Sequence, residues 1–386
     1  MAKLNAWTFA PLAAAAMIAT LPAQAQTADR VASPSLWDGG TTAMTPATSN
    51  TSAPSNWRLT AGKEFNGVSG AFDGTALLLF TTTEAAGTFA CSGSLMKGGE
   101  YVLTAAHCVD GLISMSVQFG YTNNVALQTR TVTQAVAHPG WNGSLDTGAD
   151  IALVKLSAPV TNLPQYTLST SNDVGKQYIM TGYGSTTTGG SNSPSSWGDS
   201  AYGHYGYNTF DTESSIAFGA WDATHPGAGT YTAPAHGATY VSDFDYYNAS
   251  STLAQRNQYN TLQRMADASG GGWTSGTTLG TTEALIAGGD SGGGDFIWNG
   301  TEWVLSAVHS WGWQFCGGRI TSPSCDFRTG NDTSYGDISG STAVFSHTAW
   351  INSVIAAPVP EPETYALMLA GLAVVAGMAR RRRRAA

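Results

Sequence analysis

The stretch GGDSGGGDF, residues 288–296, decides both the fold and the chemistry that this sequence predicts. Five glycines surround Asp290 and Ser291, and glycine lets a backbone turn through conformations with positive φ. Ser291 is therefore either a nucleophile presented on a tight turn or one polar residue in a loop rich in turn formers. The rest of the sequence distinguishes these two interpretations.

The composition favours a β-rich globular domain. Only 11% of the 386 residues are charged, and the chain holds 46 glycines and 12 tryptophans. This balance favours strands and tight turns over long helices with many salt bridges. From residue 65 onward, short apolar runs alternate with Gly, Asn, Asp and Ser turns, as in TALLLF, YVLTAA, MSVQF, IALVKL and QYIMTGYG. We therefore expect an all-β fold, either a barrel or a sandwich.

Residues 1–25 predict a secretory signal peptide. Lys3 precedes an apolar run, and the AQA at 23–25 fits the small-residue pattern of a cleavage site. A membrane anchor is the alternative, but the apolar run is short. Export would place the cysteines in oxidising surroundings. Residues 26–64, rich in Thr, Ser, Ala, Pro and Asn, predict a linker or pro-segment.

Residues 358–386 carry three features in order. VPEP at 359–362 precedes sixteen mostly apolar residues, Thr364 to Ala379, and five arginines follow, Arg380 to Arg384. The apolar run is marginal for a transmembrane helix but sufficient for transient membrane attachment, and the positive block would stay cytoplasmic. The three parts resemble the PEP-CTERM sorting signal of Gram-negative bacteria that make exopolysaccharide.

The sorting-signal resemblance implies two processing partners and a destination. Signal peptidase would remove residues 1–25, and an exosortase would remove the tail. The mature protein would then lie in the periplasm, on the outer surface or in the extracellular matrix.

Between its two ends the chain is acidic. Residues 26–360 hold eleven Lys and Arg against twenty-four Asp and Glu, a net charge near −13. Such a charge argues against a nucleic-acid partner. The histidines lack the spacing of metal ligands, and no glycine-rich loop carries the lysine of a phosphate loop. The sequence therefore predicts neither a metal nor a cofactor.

His107 and Asp150 occupy positions that suit catalysis. YVLTAAHCVD, residues 101–110, places His107 directly after an apolar strand, and Asp150 opens the apolar strand DIALVKL. Taken alone, a histidine is more often structural and an aspartate before a strand is often a turn residue. With Ser291 they form the set that a serine nucleophile needs. An imidazole takes the hydroxyl proton, and a carboxylate orients the imidazole.

Five motifs together resemble the chymotrypsin/trypsin family of serine endopeptidases over about residues 65–355. They are LTAAHC, DIALVKL, TGYG at 181–184, GGDSGG and SWG at 310–312. The resemblance implies two six-stranded antiparallel β-barrels and a short C-terminal helix within residues 65–357. It also implies peptide-bond hydrolysis of protein or peptide substrates through an acyl-enzyme.

The resemblance assigns the chemical roles residue by residue. His107 would be the general base, Asp150 its orienting partner and Ser291 the nucleophile. The backbone N–H groups of Gly289 and Ser291 would form the oxyanion hole. Asp290 would pair with a new amino terminus released by activation cleavage. The usual start of the mature domain is missing, however, and only EFNGVSG lies at a comparable distance, so activity without that ion pair stays open.

The resemblance assigns substrate binding to Leu285, His309, Ser310, Trp311 and Gly312. Leu285 stands where a carboxylate would select Lys or Arg, so it predicts an apolar pocket. His309 stands where glutamate-specific members carry a histidine that contacts the substrate carboxylate, which predicts acidic specificity instead. A merely packed His309 is the third possibility.

Four cysteines permit three pairings, and an exported chain favours two bridges. A bond between Cys91 and Cys108 would link two strand ends. Cys316 lacks its usual family partner, because Ala287 stands at that position. A local bridge from Cys316 to Cys325 is therefore expected.

The spacing predicts a large loop insertion in the second barrel, across residues 185–284. Asp150 and Ser291 are 141 positions apart, about fifty more than in the chymotrypsin order. The insertion contains a helix-like stretch, STLAQRNQYNTLQRMADAS. Two other functions stay open. One is a non-enzymatic binding protein of the exopolysaccharide layer on a protease scaffold, and the other is an esterase using the same triad.

Overall fold

The computed structural model describes residues 54–186, 199–225, 239–247, 250, 252–270, 272–276, 278–313 and 334–356. The predicted signal peptide, the C-terminal tail, Cys316 and Cys325 lie outside these residues. The chain divides into two compact units, Met1–Thr348 and Ala349–Ala386. The sheets and the candidate site belong to the first unit.

Six antiparallel strands close into a barrel in the order β2-β3-β4-β7-β6-β5. They are β2 (Thr75–Thr82), β3 (Phe89–Leu95), β4 (Tyr101–Thr104), β5 (Leu112–Phe119), β6 (Gln128–Ala137) and β7 (Ala152–Leu156). Every residue of β3 and β4 is buried. Strand β3 is covered from outside as well, because the Ser92 hydroxyl accepts a hydrogen bond at 2.9 Å from the amide of Tyr183, which follows a strand of the second sheet.

The second sheet has nine strands. They are β1 (Arg58–Leu59), β8 (Thr167–Leu168), β9 (Gln177–Gly182), β10 (Gly203–Thr209), β11 (Thr212–Glu213), β12 (Thr239–Asp243), β13 (Gly294–Trp298), β14 (Trp303–Trp313) and β15 (Ile338–Ala343). Their order is β1-β10-β9-β13-β14-β15-β12-β11, and β8 runs parallel to β14. The predicted all-β fold with a closed six-stranded barrel is confirmed. The second sheet is wider than the six strands expected, because β1, β8 and β11 add short pairings.

Four α-helices are described: α1 (Ser214–Thr224), α2 (Leu253–Gln258), α3 (Thr261–Ser269) and α4 (Thr348–Ala356). The helix-like stretch of the insertion forms two helices, α2 and α3, because two separate N-caps begin them. Thr252 caps α2 in a capping box with Gln255, and the Asn260 side chain accepts the Gln263 amide at the start of α3. Of the described residues, Phe218, Leu262 and Met265 pack in one core cluster with Trp311 and Trp313.

Residues 54–64, which we assigned to the linker, are structured. Strand β1 pairs with β10, and Arg58 forms an ion pair with Asp199 at 2.5 Å. The Phe65 ring packs edge-on against Phe72 and Tyr205. The ordered domain therefore begins before the predicted boundary at residue 65.

Within the described ranges, no helix is both long and apolar enough to cross a membrane. The predicted membrane-attaching segment, Thr364 to Ala379, lies outside those ranges.

Candidate active site

His107 lies on a 3₁₀ turn, Ala106–Val109, that begins directly after the buried strand β4. The Cys91–Cys108 disulfide fastens this turn to β3, as predicted. Cys91, His107 and Cys108 are also the one described group of His, Cys, Asp or Glu side chains close enough to share a metal ion. The two sulfurs are bonded to each other, so this group offers no thiolate to a metal.

Asp150, fully buried just before β7, holds the His107 ring. Its Oδ2 lies 2.7 Å from His107 Nδ1, and its Oδ1 accepts the His107 backbone amide at 2.9 Å. The Ser310 hydroxyl donates to Oδ2 at 2.7 Å. Because an ionised carboxylate only accepts hydrogen bonds, the proton of a neutral His107 ring belongs on Nδ1. The basic lone pair is then on Nε2.

The turn Gly288–Gly294, here named the nucleophile turn, depends on its glycines. Gly289 and Gly292 have φ values of +94° and +80°, which side-chain-bearing residues rarely adopt. A Cβ at Gly292 would lie 2.0 Å from Thr104 Oγ1 and 2.5 Å from the Ser92 carbonyl oxygen. Only glycine fits where the turn meets the barrel, which explains the composition of this stretch.

Three contacts place the nucleophile turn against β3 and the His107 turn. The Ser291 carbonyl accepts the Ser92 amide at 2.7 Å, and the Ser92 hydroxyl donates to the Gly289 carbonyl at 2.9 Å. Cys108 Sγ lies 3.7 Å from the Ser291 carbonyl oxygen. Ser291 therefore sits against β3 and against the residue that follows His107. The structure brings the three predicted catalytic residues into one region.

Residues 69–221 match the Trypsin family, and residues 358–384 match the PEP-CTERM protein-sorting motif. The chain contains a trypsin-family domain and a PEP-CTERM motif. Both resemblances seen in the sequence are confirmed. The motif marks the chain as an exported protein of a Gram-negative bacterium.

Curated relatives include chymotrypsin-like elastase family member 1 of the dog, Canis lupus familiaris, which is 34% identical over 113 residues. That match covers 26% of this chain and 43% of the elastase. Human kallikrein-11 is 31% identical over 105 residues, 25% of this chain and 37% of the kallikrein. The chain thus matches less than half the length of these relatives. A solved structure titled "HL collagenase" covers 78% of this chain and 98% of its own, with 18% identity and a TM-score of 0.49.

The Asp290 carboxylate is buried among backbone donors. It accepts the Gly184 amide at 2.7 Å and the Ala287 amide at 3.1 Å. A Cβ at Gly182 would lie 2.1 Å from Asp290 Oδ1, so a glycine is required there too. Asp290 ties the nucleophile turn to the end of β9.

Of the predicted substrate-binding residues, Ser310, Trp311 and Gly312 all lie on β14 and are buried. The register of β14 against β15 shifts between His309 and Trp311, and Ser310 is the extra residue of this bulge. A bulge re-aims a side chain, and here the Ser310 hydroxyl reaches Asp150. Sequence reasoning missed this contact, because the bulge breaks the simple alternation of a strand.

Leu285 is fully buried and packs with Phe244 and Tyr335, and the partly buried Tyr246 and Tyr259 cover this cluster. The predicted apolar character of this position therefore extends to its surroundings.

His309 does not face outward for a substrate, contrary to one of the three possibilities raised by the sequence. The ring is completely buried. Its Nε2 lies 2.7 Å from Asp295 Oδ1, and its Nδ1 lies 3.0 Å from the Asp290 carbonyl oxygen. With both nitrogens bonded to the protein, the ring has no atom left for a substrate carboxylate. Asp295 was missed, although a charged residue within GGGDF, directly before an apolar strand, was a visible signal.

Sequence reasoning also missed a cluster of four buried carboxyl groups near Leu285: Asp211, Asp243, Asp245 and Glu283. Burial raises the pKa of Glu283 to about 8 and that of Asp211 to about 6. Burial and the neighbouring acids raise the pKa of Asp243 and Asp245 well above the ordinary value. Backbone amides support the cluster. The backbone amide of Asp245 donates to Glu283 Oε1 at 2.6 Å, and the backbone amide of Leu262 donates to Asp243 Oδ2 at 2.8 Å. These groups tie the insertion to the segment that leads into Leu285.

Proposed function

We propose that this protein is an exported serine endopeptidase in which Ser291 is the nucleophile, His107 the general base and Asp150 its orienting partner. One observation carries the proposal. In a trypsin-family domain, a buried His107–Asp150 pair adjoins the glycine turn that holds Ser291. A serine hydroxyl alone is a poor nucleophile, and this arrangement supplies the base that activates it.

The reaction follows from the proton positions at His107. Nδ1 donates to Asp150, so Nε2 accepts the Ser291 proton while Oγ attacks the carbonyl carbon of the substrate. His107 then protonates the leaving amine, and the acyl group stays on Ser291. Water, activated by the same ring, hydrolyses the acyl-enzyme. The Asp150 carboxylate stabilises the imidazolium that forms in both steps, and Ser310 fixes that carboxylate.

The negative charge that develops on the substrate oxygen requires donors of its own. We assign this role to the backbone N–H groups of Gly289 and Ser291. The positive φ of Gly289 supports the assignment, because it lets the turn direct successive amides to one side. Loss of one such donor in a related site costs roughly 3 to 4 kcal/mol of transition-state stabilisation.

We assign the protein an apolar primary specificity. Leu285 and its aromatic neighbours Phe244 and Tyr335 support it. His309 is engaged inside the protein, so an acidic side chain loses the partner that the sequence suggested. Substrates with Phe or Leu before the cleaved bond should therefore exceed those with Glu by about tenfold or more in kcat/KM, and a preference for Glu would contradict the assignment.

The test of the catalytic role uses the full-length protein and a fluorophosphonate probe. Mass spectrometry should find the label on Ser291, and Ser291→Ala should abolish it. Ser306→Ala is the matched control, because it removes another buried serine hydroxyl of the second sheet, one that donates to Asp173 at 2.6 Å. This variant should label like the wild type.

Two results would contradict the proposal in different ways. A folded wild type that does not label would favour the binding-protein alternative. Labelling without cleavage of any peptide, together with turnover of small esters, would favour the esterase.

We further propose that the C-terminal tail is removed by an exosortase after export, as its PEP-CTERM motif suggests. Intact-mass measurement of the protein from its own host should show loss of residues that follow the VPEP at 359–362. A mature protein that keeps its arginine block would contradict this proposal.

A further inference from the structure

His309 contacts the backbone on both sides of Ser291. Its Nδ1 lies 3.0 Å from the carbonyl oxygen of Asp290, the residue before the nucleophile. Its own carbonyl accepts the amide of Gly292, the residue after the nucleophile, at 2.8 Å. Its amide donates to the Gly293 carbonyl at 2.9 Å. Three of the contacts that shape the nucleophile turn therefore come from this one residue.

The side of the turn next to His309 has no spare space. A Cβ at Gly293 would lie 2.7 Å from His309 Nδ1 and 2.4 Å from the Thr181 carbonyl oxygen. The ring therefore lies directly against the turn, with no room for a side chain between it and Gly293. Close packing of this kind passes a displacement of the ring directly to the backbone.

Both ring nitrogens of His309 face groups that accept hydrogen bonds. The Asp290 carbonyl can accept a hydrogen bond but cannot donate one, and the same is true of an ionised Asp295 carboxylate. A neutral imidazole donates from one nitrogen, so two donated bonds require the imidazolium form. Asp295 supplies the balancing charge. Its Oδ1 bonds to the ring at 2.7 Å, and within the described residues its Oδ2 has no hydrogen-bond partner.

The surroundings support a charged ring. Burial lowers the pKa of His309, but the charge and hydrogen bond of Asp295, helped by Asp290, raise that pKa by more, and it ends above its ordinary value. Tyr178 on β9 also faces this region. Burial and the charge of Asp295 raise the pKa of its phenol, which stays neutral.

We propose that His309, held as an imidazolium by Asp295, is a positioning residue that fixes the backbone on both sides of Ser291. This inference rests on the proposed function, because it deepens the account of the same site. His309 touches neither the substrate nor the reacting atoms. It acts by holding the Asp290 carbonyl and the Gly292 amide, which set the direction of the Ser291 side chain and of the amides assigned to the oxyanion hole.

The proposal predicts that the bond to the nucleophile turn depends on the proton on His309 Nδ1. If the imidazolium loses a proton at high pH, the Asp295 carboxylate retains the one on Nε2, and Nδ1 is left with a lone pair facing the Asp290 carbonyl. The bond to the turn is then lost. In Asp295→Asn, the new amide can donate to Nε2, so a neutral ring keeps its proton on Nδ1 and the bond persists at high pH.

The experiment compares the full-length wild type with His309→Gln, Asp295→Asn and a matched control, His204→Gln. The control removes another buried histidine of the second sheet, whose Nε2 lies 2.9 Å from Asp199 Oδ2. Three quantities are measured for each variant: the rate of fluorophosphonate labelling, kcat and KM as functions of pH, and hydrogen exchange of the peptide spanning residues 287–296.

We expect His309→Gln to lower kcat and the labelling rate about tenfold or more, with KM changed less than about twofold. Exchange across residues 287–296 should accelerate in this variant and stay unchanged in His204→Gln. Asp295→Asn should keep most of the neutral-pH activity and lose less of it at alkaline pH than the wild type does.

Equal effects of His309→Gln and His204→Gln on all three quantities would overturn the proposal, because both would then be merely structural. A steeper alkaline loss in Asp295→Asn would overturn the assignment of the protons. If the wild type fails to label at all, the proposed function fails instead. In that case, the exchange measurement still decides whether His309 holds the turn.

Discussion

Among the described residues, two histidine–aspartate pairs with both partners buried are alike in distance and different in surroundings. His107–Asp150 and His309–Asp295 both join a ring nitrogen to a carboxylate oxygen at 2.7 Å. In the first pair the bond uses Nδ1, and Asp150 has a further donor in Ser310. In the second pair the bond uses Nε2, and Nδ1 meets a backbone carbonyl. The first arrangement suits proton transfer at Nε2. In the second, both nitrogens are occupied, one by the Asp295 side chain and the other by the backbone of the nucleophile turn.

The comparison teaches that the pair itself does not define a catalytic site. The role depends on what the second ring nitrogen faces. For His107 the neutral ring directs a lone pair away from Asp150, so the ring can take a proton. For His309 both nitrogens face acceptors, so each is engaged in a hydrogen bond and neither presents a lone pair to a reacting group.

The largest expected effect comes from breaking the first pair chemically while keeping its shape. In Asp150→Asn the amide can donate to His107 Nδ1, which puts the ring proton on Nε2, the wrong nitrogen for accepting the Ser291 proton. The same change in a related triad lowers kcat by about 10⁴, and we expect a similar loss here. Steady-state kinetics check this prediction, with circular dichroism as the control for folding. A loss under tenfold would contradict the role assigned to Asp150.

The second-largest expected effect concerns the disulfide, which supports the His107–Asp150 pair but not the His309–Asp295 pair. The Cys91–Cys108 disulfide closes a sequence separation of 17 and fastens only the His107 turn. Replacing both cysteines by alanine should lower the free energy of unfolding by about 3 kcal/mol. Urea unfolding monitored by tryptophan fluorescence measures this change. A matched comparison is His309→Gln, which leaves the disulfide intact. An unchanged unfolding midpoint in the double alanine variant would contradict the prediction.

A smaller effect is expected from the Ser310 hydroxyl, which contacts the Asp150 carboxylate but not the Asp295 carboxylate. Ser310→Ala removes one donor from Asp150 Oδ2 and none from Asp295. We expect kcat to fall by roughly tenfold, because a hydrogen bond to a charged group contributes about 1.5 to 3 kcal/mol. Ser310→Thr keeps the hydroxyl and should restore part of the activity. If alanine lowered only the affinity for substrate, Ser310 would act as a binding residue instead.

The smallest effect concerns buried carboxyl groups that, among the described residues, have no histidine partner. The raised pKa values of Asp245 and Glu283 mean that the folded protein binds their protons more tightly than the unfolded chain does. The stability they contribute is complete below their ordinary pKa and is lost as pH rises toward about 8, the pKa of Glu283. The melting temperature should therefore fall between pH 5 and pH 9. Asp245→Asn removes one charge from the cluster and should reduce that fall by a few degrees, of the order of 1 kcal/mol.

Differential scanning calorimetry across this pH range tests the prediction. Asp222→Asn, on α1 outside the cluster and exposed, is the control and should follow the wild-type profile. A wild-type melting temperature that rises toward pH 9 would contradict the argument.

The sequence by itself determined the local and the covalent parts of this protein. Strand-forming runs predicted an all-β fold, either a barrel or a sandwich, because alternating apolar residues bury one face wherever they occur, and the family resemblance favoured the barrel. The order of His107, Asp150 and Ser291 predicted the candidate site, since a serine nucleophile needs those groups and few others. The need for glycine in the nucleophile turn could also be predicted, because a positive φ is a property of the local backbone.

Only the tertiary structure decided which groups meet across long separations. Ser310 reaches Asp150 because a bulge rotates it, and the bulge depends on how β14 pairs with β15. The sequence left three interpretations of His309 open, because whether it faces a substrate or Asp295 depends on how β14 and the nucleophile turn pack. The buried acids likewise come together from separate parts of the chain. Asp211 lies between β10 and β11, Asp243 ends β12 and Asp245 follows it, and Glu283 lies at the end of the insertion. Burial and partnership are properties of the packed chain, and they set the charge and therefore the role of each of these groups.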